Sequence, residues 1–213
     1  MDILAGLCDK LRFIERFYES ASEPFRETKR KIQASEEPFV PLPLNPETAT
    51  DFDPPFLEEW LEADESLNLV GQAALNLVQA AFRDYLNWFL KLNEVVLTAK
   101  GAHWLERYRN QFLETYQIDW SQGPVSLDEL EEINLARNDV EHNGTPFGMT
   151  RSQNKQHQSR FPLGVFVHEI DRQIAASSGH EWMGRIYISR DNLAEAIRRV
   201  ETFGGFLDAQ RPS

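Results

Sequence analysis

The sequence predicts an all-α fold, an antiparallel helical bundle with an extended proline-rich acidic arm and a minor extended segment near residues 183–188. Apolar residues recur at helical spacing in several long segments, and prolines concentrate in one connector. Hydrophobic residues make up 41% of the chain, enough for a core. No run of about 18 uncharged apolar residues indicates a membrane span. We therefore expect a cytoplasmic protein with no membrane partner.

The first element is an N-terminal helical segment over residues 1–35. Within it, Ile3–Ile32 carries leucines and aromatic residues at the three- and four-residue spacing of an amphipathic helix. Pro24 lacks a backbone N–H, so we expect it to break or restart the helix, with Ser22 capping the second part.

Residues 36–55 form the proline-rich acidic connector, which we expect to be extended and non-helical. No Lys or Arg occurs from Ile32 to Phe82, whereas ten acidic residues fall from Glu36 to Glu65. Much of the net charge of −12 is therefore local. The connector is either a linker or an arm across the domain, anchored by apolar residues such as Phe39.

Residues 56–213 are predicted to form the bundle domain. A second helical region starts near Pro55, a residue type favoured in the first turn, and carries the widest apolar stripe of the chain, from Val70 to Leu92. Gly71 marks either a break or a close packing point. A third helix covers about Ala102 to Tyr116.

The fourth helix begins at Ser126, because Ser126 and Glu129 have the spacing of a capping box. It is expected to reach Val140 before the stop signal at Asn143-Gly144. Beyond it we predict a loop over 144–165, a short helix over 165–176, an extended segment over 183–188, and a last helix over 190–208 capped by Ser189.

The end of the fourth helix carries the segment on which a function can be argued. Arg137, Asn138, three intervening residues and His142 are followed by Asn143-Gly144. This pattern resembles the signature of the HEPN family, over about ten residues in motif and roughly residues 67–208 in architecture. The resemblance implies a metal-independent endoribonuclease that acts as a homodimer, related to toxins or host defence, with an antitoxin or regulatory protein as partner and no cofactor.

Each residue of the segment has chemistry suited to RNA cleavage. His142 titrates near neutrality and serves as base or acid, while Arg137 supplies a permanent cation for the phosphate oxygens. Asn138 orients the histidine or a phosphate oxygen. Glu141 modulates the imidazole if the two touch. Arg137, Asn138 and His142 are the predicted catalytic residues, and Glu141 is a modulating residue.

Helical geometry sets a condition on this chemistry. Five positions advance an ideal helix by about 500°, so Arg137 and His142 point about 140° apart. Either the helix frays at Asn143-Gly144 and brings His142 round, or a symmetric dimer pools the residues of two copies. The resemblance implies the second arrangement, a composite cleft between two subunits.

A stretch without acidic residues follows the motif. From His142 to His168 there is no Asp or Glu, and we expect Arg151, Lys155, His157 and Arg160 to hold flanking RNA phosphates. A plain solvated loop is the alternative interpretation.

Structural interpretations of the motif also stay open. Arg137 could pair with a carboxylate such as Glu132 or Asp128, and His142 could cap the helix C-terminus. No metal site is expected, because His168, Glu169 and His180 lack ligand spacing. The alternative function is a non-catalytic HEPN-like module for dimerisation or protein interaction. A third interpretation, a helical bundle that binds a small molecule, is supported only by the abundant aromatic residues.

Overall fold

The computed structural model describes residues 2–41, 54–142, 161, 164–166, 173 and 186–211, with side chains along 54–142 described as far as Ala136. Five α-helices occur in this part of the chain. They are α1 (Ile3–Ala34), α2 (Leu57–Leu92), α3 (Trp104–Tyr116), α4 (Leu127–His142) and α5 (Arg190–Ala209), with a 3₁₀ turn at Trp120–Gln122 between α3 and α4. The all-α class is confirmed for these residues, in which no strand is formed.

Helix α1 continues through Pro24, so the predicted break there is wrong. The residues on both sides of the proline are held against α2, and this packing outweighs the lost backbone hydrogen bond. Ser22 is not a cap. Its buried hydroxyl donates to the Tyr18 carbonyl at 2.6 Å, inside the helix.

Two ion pairs set the register of α1 against α2. Lys10, near the beginning of α1, contacts Asp84 near the end of α2, and Lys29, near the end of α1, contacts Asp64 near the beginning of α2. The Lys29 pair is the more buried, at 2.6 Å, and Tyr187 also donates to Asp64. The start of α1 thus lies beside the end of α2.

Helix α5 packs on both long helices. Phe203 of α5 contacts the ring of Phe82, Tyr85 donates to the Gly204 carbonyl at 2.9 Å, and Ile188, just before α5, lies on Gly71. Gly71 is therefore a close packing point and not a break. A Cβ at this position would lie 2.3 Å from the Ile188 carbonyl oxygen.

One hydrophobic core runs through all five helices. The N-terminal helix shares it, since Leu7 and Leu11 are as buried as Phe89 and Phe112. The division into domains at residues 35 and 55 stays a prediction. In the described part of the connector, the ring of Phe39 packs edge-on against Phe56 at 5.4 Å, which fits an arm anchored by this residue.

The last helix was predicted closely. It begins at Arg190, and the Ser189 hydroxyl accepts from the Asn192 N–H at 3.2 Å, as a cap does. Before it, the Tyr187 N–H donates to the Phe166 carbonyl, which is consistent with an extended chain at Ile186–Ile188. Most of the predicted helix over 165–176 and most of the predicted loop over 144–165 lie outside the described residues.

Candidate active site

Helix α4 starts at the predicted capping box. The Ser126 N–H donates to the Glu129 carboxylate at 2.8 Å, and the Ser126 hydroxyl accepts from the Glu129 N–H at 3.2 Å. The hydrogen bond from the Ser126 N–H is also the main reason that the pKa of Glu129 is lowered. Asp128 and Glu129 place negative charge in the first turn, where the helix dipole favours it.

The middle of α4 is buried on all sides. Every residue from Leu130 to Ala136 is buried, including Glu131, Glu132 and Asn134. Buried polar groups cost free energy unless they are paired. The partners of these three side chains therefore determine how the motif that follows them is held.

Asn134 connects three helices. Its side-chain oxygen accepts from the Trp104 indole N–H of α3 at 2.6 Å and from the Gln79 amide of α2 at 2.8 Å. The three residues are far apart in sequence, so this contact fixes the side of α4 that faces α2 and α3.

Glu132 lies in a network of buried charges. One carboxylate oxygen lies 3.5 Å from the guanidinium of Arg199 on α5, and the other accepts from the Val165 N–H at 2.5 Å. Arg199 is 8% exposed and also contacts Glu195 and Glu129. A single buried cation thus joins carboxylates from two helices.

Glu195 shows the charge balance of this network. The Arg198 guanidinium, followed by that of Arg199, lowers the pKa of Glu195 to about 2. Glu195 is consequently ionised throughout the neutral range and compensates the buried Arg199.

His103 is the described histidine nearest to the middle of α4. It caps α3, its Nδ1 accepting from the Glu106 N–H at 3.4 Å, and its Nε2 lies 3.3 Å from the Glu131 carboxylate. The two ring nitrogens of His103 thus join the first turn of α3 to the middle of α4.

Sequence reasoning missed His103 and Arg199. A signal existed for Arg199, which stands three residues after Ala196 and four before Phe203, on the apolar side of its helix. The spacing of His103 and Glu106 at the start of α3 resembles a capping pair. Neither signal identifies the partner on α4.

The predicted catalytic residues are all placed on α4. The helix extends through His142, so Arg137, Asn138, Glu141 and His142 share one helix, although their side chains lie outside the described part. The fourth helix is two residues longer than predicted. Asn143 and Gly144, where fraying is predicted to bring His142 round, lie outside the described residues, and on a straight helix positions 137 and 142 are about 140° apart.

The predicted RNA-binding residues Arg151, Lys155, His157 and Arg160 lie outside the described residues. The chain is described on both sides of these residues. Helix α4 ends at His142, and the Val165 N–H contacts α4 again by its hydrogen bond to Glu132. Because ten residues separate Glu132 from His142, these two points are about 15 Å apart along the helix.

Among the described ranges, no group of three or more His, Cys, Asp or Glu side chains is arranged to hold a metal ion. Nor is any helix in that part of the chain both long enough and apolar enough for a membrane span.

Comparisons with known proteins give no family. No protein-family model matches the chain, and no match was found among curated proteins or solved structures. The HEPN assignment therefore stays a prediction that rests on the motif and the helical architecture.

Proposed function

We propose that this chain is a metal-independent endoribonuclease of the HEPN type, an antiparallel helical bundle that acts as a homodimer. The observation that carries the proposal is the return of the chain to α4 at Val165. The stretch without acidic residues is thereby attached at both ends to the helix that carries Arg137 and His142. A segment that carries Arg151, Lys155 and Arg160 and no acidic residue suits a polyanionic substrate such as RNA.

The buried network supports the same proposal. Glu132, one of the two carboxylates considered as a structural partner for Arg137, is engaged by Arg199 and by the Val165 N–H. Helix α2, opposite α4, has no charged residue from Ser66 to Phe82. Glu132 is therefore already engaged by other groups, which removes one of the two carboxylates considered as a structural partner for Arg137.

The length of α4 supports a dimer. On a helix that is unbroken to residue 142, positions 137 and 142 are about 140° apart, which favours a site pooled from two copies over a site within one copy. Two copies related by a twofold axis place Arg137 of one chain near His142 of the other. In this arrangement His142 of one chain takes the proton of the 2′-hydroxyl as its oxygen bonds to phosphorus, and Arg137 stabilises the phosphorane oxygens. The bond from phosphorus to the 5′ oxygen then breaks, and the protonated His142 of the other chain gives its proton to that oxygen, which leaves a 2′,3′-cyclic phosphate.

RNA cleavage in EDTA tests the proposal. The purified protein is expected to cut RNA without metal and to leave 2′,3′-cyclic phosphate ends. Arg137→Ala and His142→Ala are each expected to abolish cutting while the helical circular dichroism is kept. Arg198→Ala, an exposed arginine on α5, is the matched control and should cut normally. Wild-type cutting that survives in both motif variants would rule out this site.

A protein-interaction module is the second candidate, favoured by exposed apolar side chains on α1 and α2. Phe13 is 61% exposed, and Phe17 and Leu77 are also exposed. The register set by the two lysine ion pairs brings Phe17 level with Leu77. Phe13→Ser with Phe17→Ser should then reduce association measured by light scattering; an unchanged mass would remove the support for this candidate.

A further inference from the structure

Helix α1 carries a row of exposed residues beside α2. The row consists of Gly6, Lys10, Phe13 and Phe17, whose spacing by four, three and four positions places them on one side of the helix. Both phenylalanine rings are exposed, and Lys10 stays in contact with solvent although it forms an ion pair with Asp84. Exposed rings on one side of a helix form a surface on which another molecule can pack.

Helix α2 carries a second row at the same levels. In the order opposite to that of the chain it consists of Trp88, Asp84, Ala81 and Leu77, again spaced by four, three and four positions. The Lys10–Asp84 ion pair sets the levels, so Trp88 is level with Gly6 and Leu77 with Phe17. Trp88 and Leu77 are exposed. We call the two rows together the α1–α2 face.

The two rows are complementary to each other in size and in charge. Gly6, the smallest residue of the first row, is level with Trp88, the largest of the second, and Phe13 is level with Ala81. The lysine of the first row is level with the aspartate of the second. A twofold axis parallel to the helices brings each row of one copy onto the other row of a second copy. The α1–α2 face is therefore complementary to itself.

Gly6 and the space beside it fit a second copy. In the part of the chain that the structure describes, a Cβ on Gly6 would meet nothing within 4 Å. Packing in this part does not require glycine there, although alanine is the better helix former. An open cavity of about 170 Å³ is lined by Gly6, Tyr85 and Trp88, among other residues. A cavity of about 150 Å³ accepts benzene, so this space suits an aromatic ring from outside.

Lys10 and Asp84 keep the capacity to bind a second copy. Their ion pair at 3.0 Å uses one carboxylate oxygen, and the two side chains remain 53% and 57% exposed. An ammonium group donates three hydrogen bonds, and an ionised carboxylate accepts through two oxygens. About the twofold axis, Lys10 of each copy lies between the Asp84 residues of both copies, and four charges of alternating sign come together.

We propose that two copies of this chain associate through the α1–α2 face, about a twofold axis parallel to the two helices. The ring of Trp88 of each copy packs on Gly6 of the other, and Lys10 of each copy pairs with Asp84 of the other. Helix α1 then lies on α2 of the second copy and runs antiparallel to it. Four helices stacked in this way form a four-helix bundle, in which neighbouring helices cross at about 20°.

This association is separate from the contact that the proposed ribonuclease needs at α4. Gln79, which contacts α4, is two positions after Leu77 and therefore about 200° further round α2. Substitutions in the α1–α2 face leave α4 unaltered. They should lower the mass of the particle about twofold, whether or not copies also meet at α4.

Charge exchange tests the pairing of Lys10 with Asp84. Lys10→Glu gives the face two acidic residues at this level and Asp84→Lys gives it two basic ones, so each variant repels its own copies. Light scattering should give each about half the wild-type mass, at a concentration where wild type is associated. The two variants mixed without unfolding carry opposite charges and should regain the wild-type mass. Glu15→Lys, an exposed charge of α1 outside this face, is the matched control and should keep that mass.

Gly6→Gln tests the approach of Trp88 to Gly6. Glutamine favours a helix and has open space within the described chain, but its side chain occupies the place of Trp88 of the second copy. Sedimentation equilibrium should show a dissociation constant about tenfold higher than that of wild type, or more. Gly205→Gln on α5, where a Cβ also meets nothing within 4 Å in the described part of the chain, is the matched control.

Circular dichroism should show that all these variants are folded, because the ion pair within one chain is exposed and contributes little to stability. A wild type with the same mass as Lys10→Glu would overturn the association and mean that the face is solvated or takes another partner. Single variants that lose mass and do not regain it on mixing would overturn the pairing of Lys10 with Asp84. An unchanged dissociation constant in Gly6→Gln would overturn the packing of Trp88. Absence of RNA cleavage would overturn the proposed function alone.

Discussion

The Glu132 carboxylate accepts a hydrogen bond from the Val165 N–H at 2.5 Å, across 33 residues of chain. The same carboxylate contacts the buried guanidinium of Arg199. One side chain thus attaches the segment after the motif to the helix that carries the motif. We therefore expect substitutions of Glu132 to change the free energy of unfolding as well as the activity.

Glu132→Ala should lower the free energy of unfolding by about 1–3 kcal/mol, since it leaves the Val165 N–H without its acceptor and Arg199 with one carboxylate fewer. Glu132→Gln keeps an acceptor and should cost less. Urea unfolding measures both. The control is Glu15→Gln on the exposed side of α1. If Glu132→Ala is as stable as this control, the network does not hold α4.

Gly71 and Gly205 should respond in opposite ways to alanine. Alanine normally stabilises a helix interior by about 0.5–1 kcal/mol relative to glycine, and a Cβ at Gly205 meets nothing within 4 Å. At Gly71 the Cβ would collide with the Ile188 carbonyl, and the necessary shift should cost about 1–3 kcal/mol. Thermal unfolding compares the two variants. Equal gains in both would contradict the close approach of Ile188 to α2.

The lowered pKa of Glu195 predicts that the free energy of unfolding decreases in acid. Its pKa is lowered from 4.5 to about 2, first by the hydrogen bond from Arg198. A carboxyl group whose pKa is lower in the folded than in the unfolded protein stabilises the fold fully at pH values above its pKa in the unfolded protein. This contribution is lost as the pH decreases through the pKa of the folded protein. This contribution to stability should therefore be lost as the pH decreases from about 4.5 to about 2.

Glu195→Gln removes this titrating group. Its free energy of unfolding, measured in urea at several pH values, should fall less steeply than that of wild type over this interval. The Glu15→Gln control should keep the wild-type slope. Identical slopes for wild type and Glu195→Gln would contradict the pairing of Glu195 with Arg198.

The sequence predicted the helices well because their signals are local. The capping box at Ser126 and Glu129 and the cap at Ser189 depend on residues three apart, and both occur in the structure. The helix break predicted at Pro24 is wrong because α1 is held in place by packing against α2, which a local sequence signal does not include. The helix reaches His142 and not Val140, a difference of two residues at a helix end, where such predictions are least precise.

The candidate site was predicted less completely, for a physical reason. Its residue types were read from one segment of α4, but the partners that hold this helix come from elsewhere. Gln79 is 55 residues from Asn134, and Arg199 is on the last helix. Which polar residues contact each other across two helices depends on how the helices are shifted along their axes and rotated about them. The periodicity of the sequence gives neither quantity.

The composite site is tested most directly by mixing two inactive variants. Arg137→Ala and His142→Ala are unfolded together in urea, refolded, and assayed on RNA in EDTA. A mixed dimer retains Arg137 in one chain and His142 in the other, so the refolded mixture should cleave RNA although each variant refolded alone does not. A mixture as inactive as its two components, beside an active wild type refolded in the same way, would contradict a site shared between two subunits.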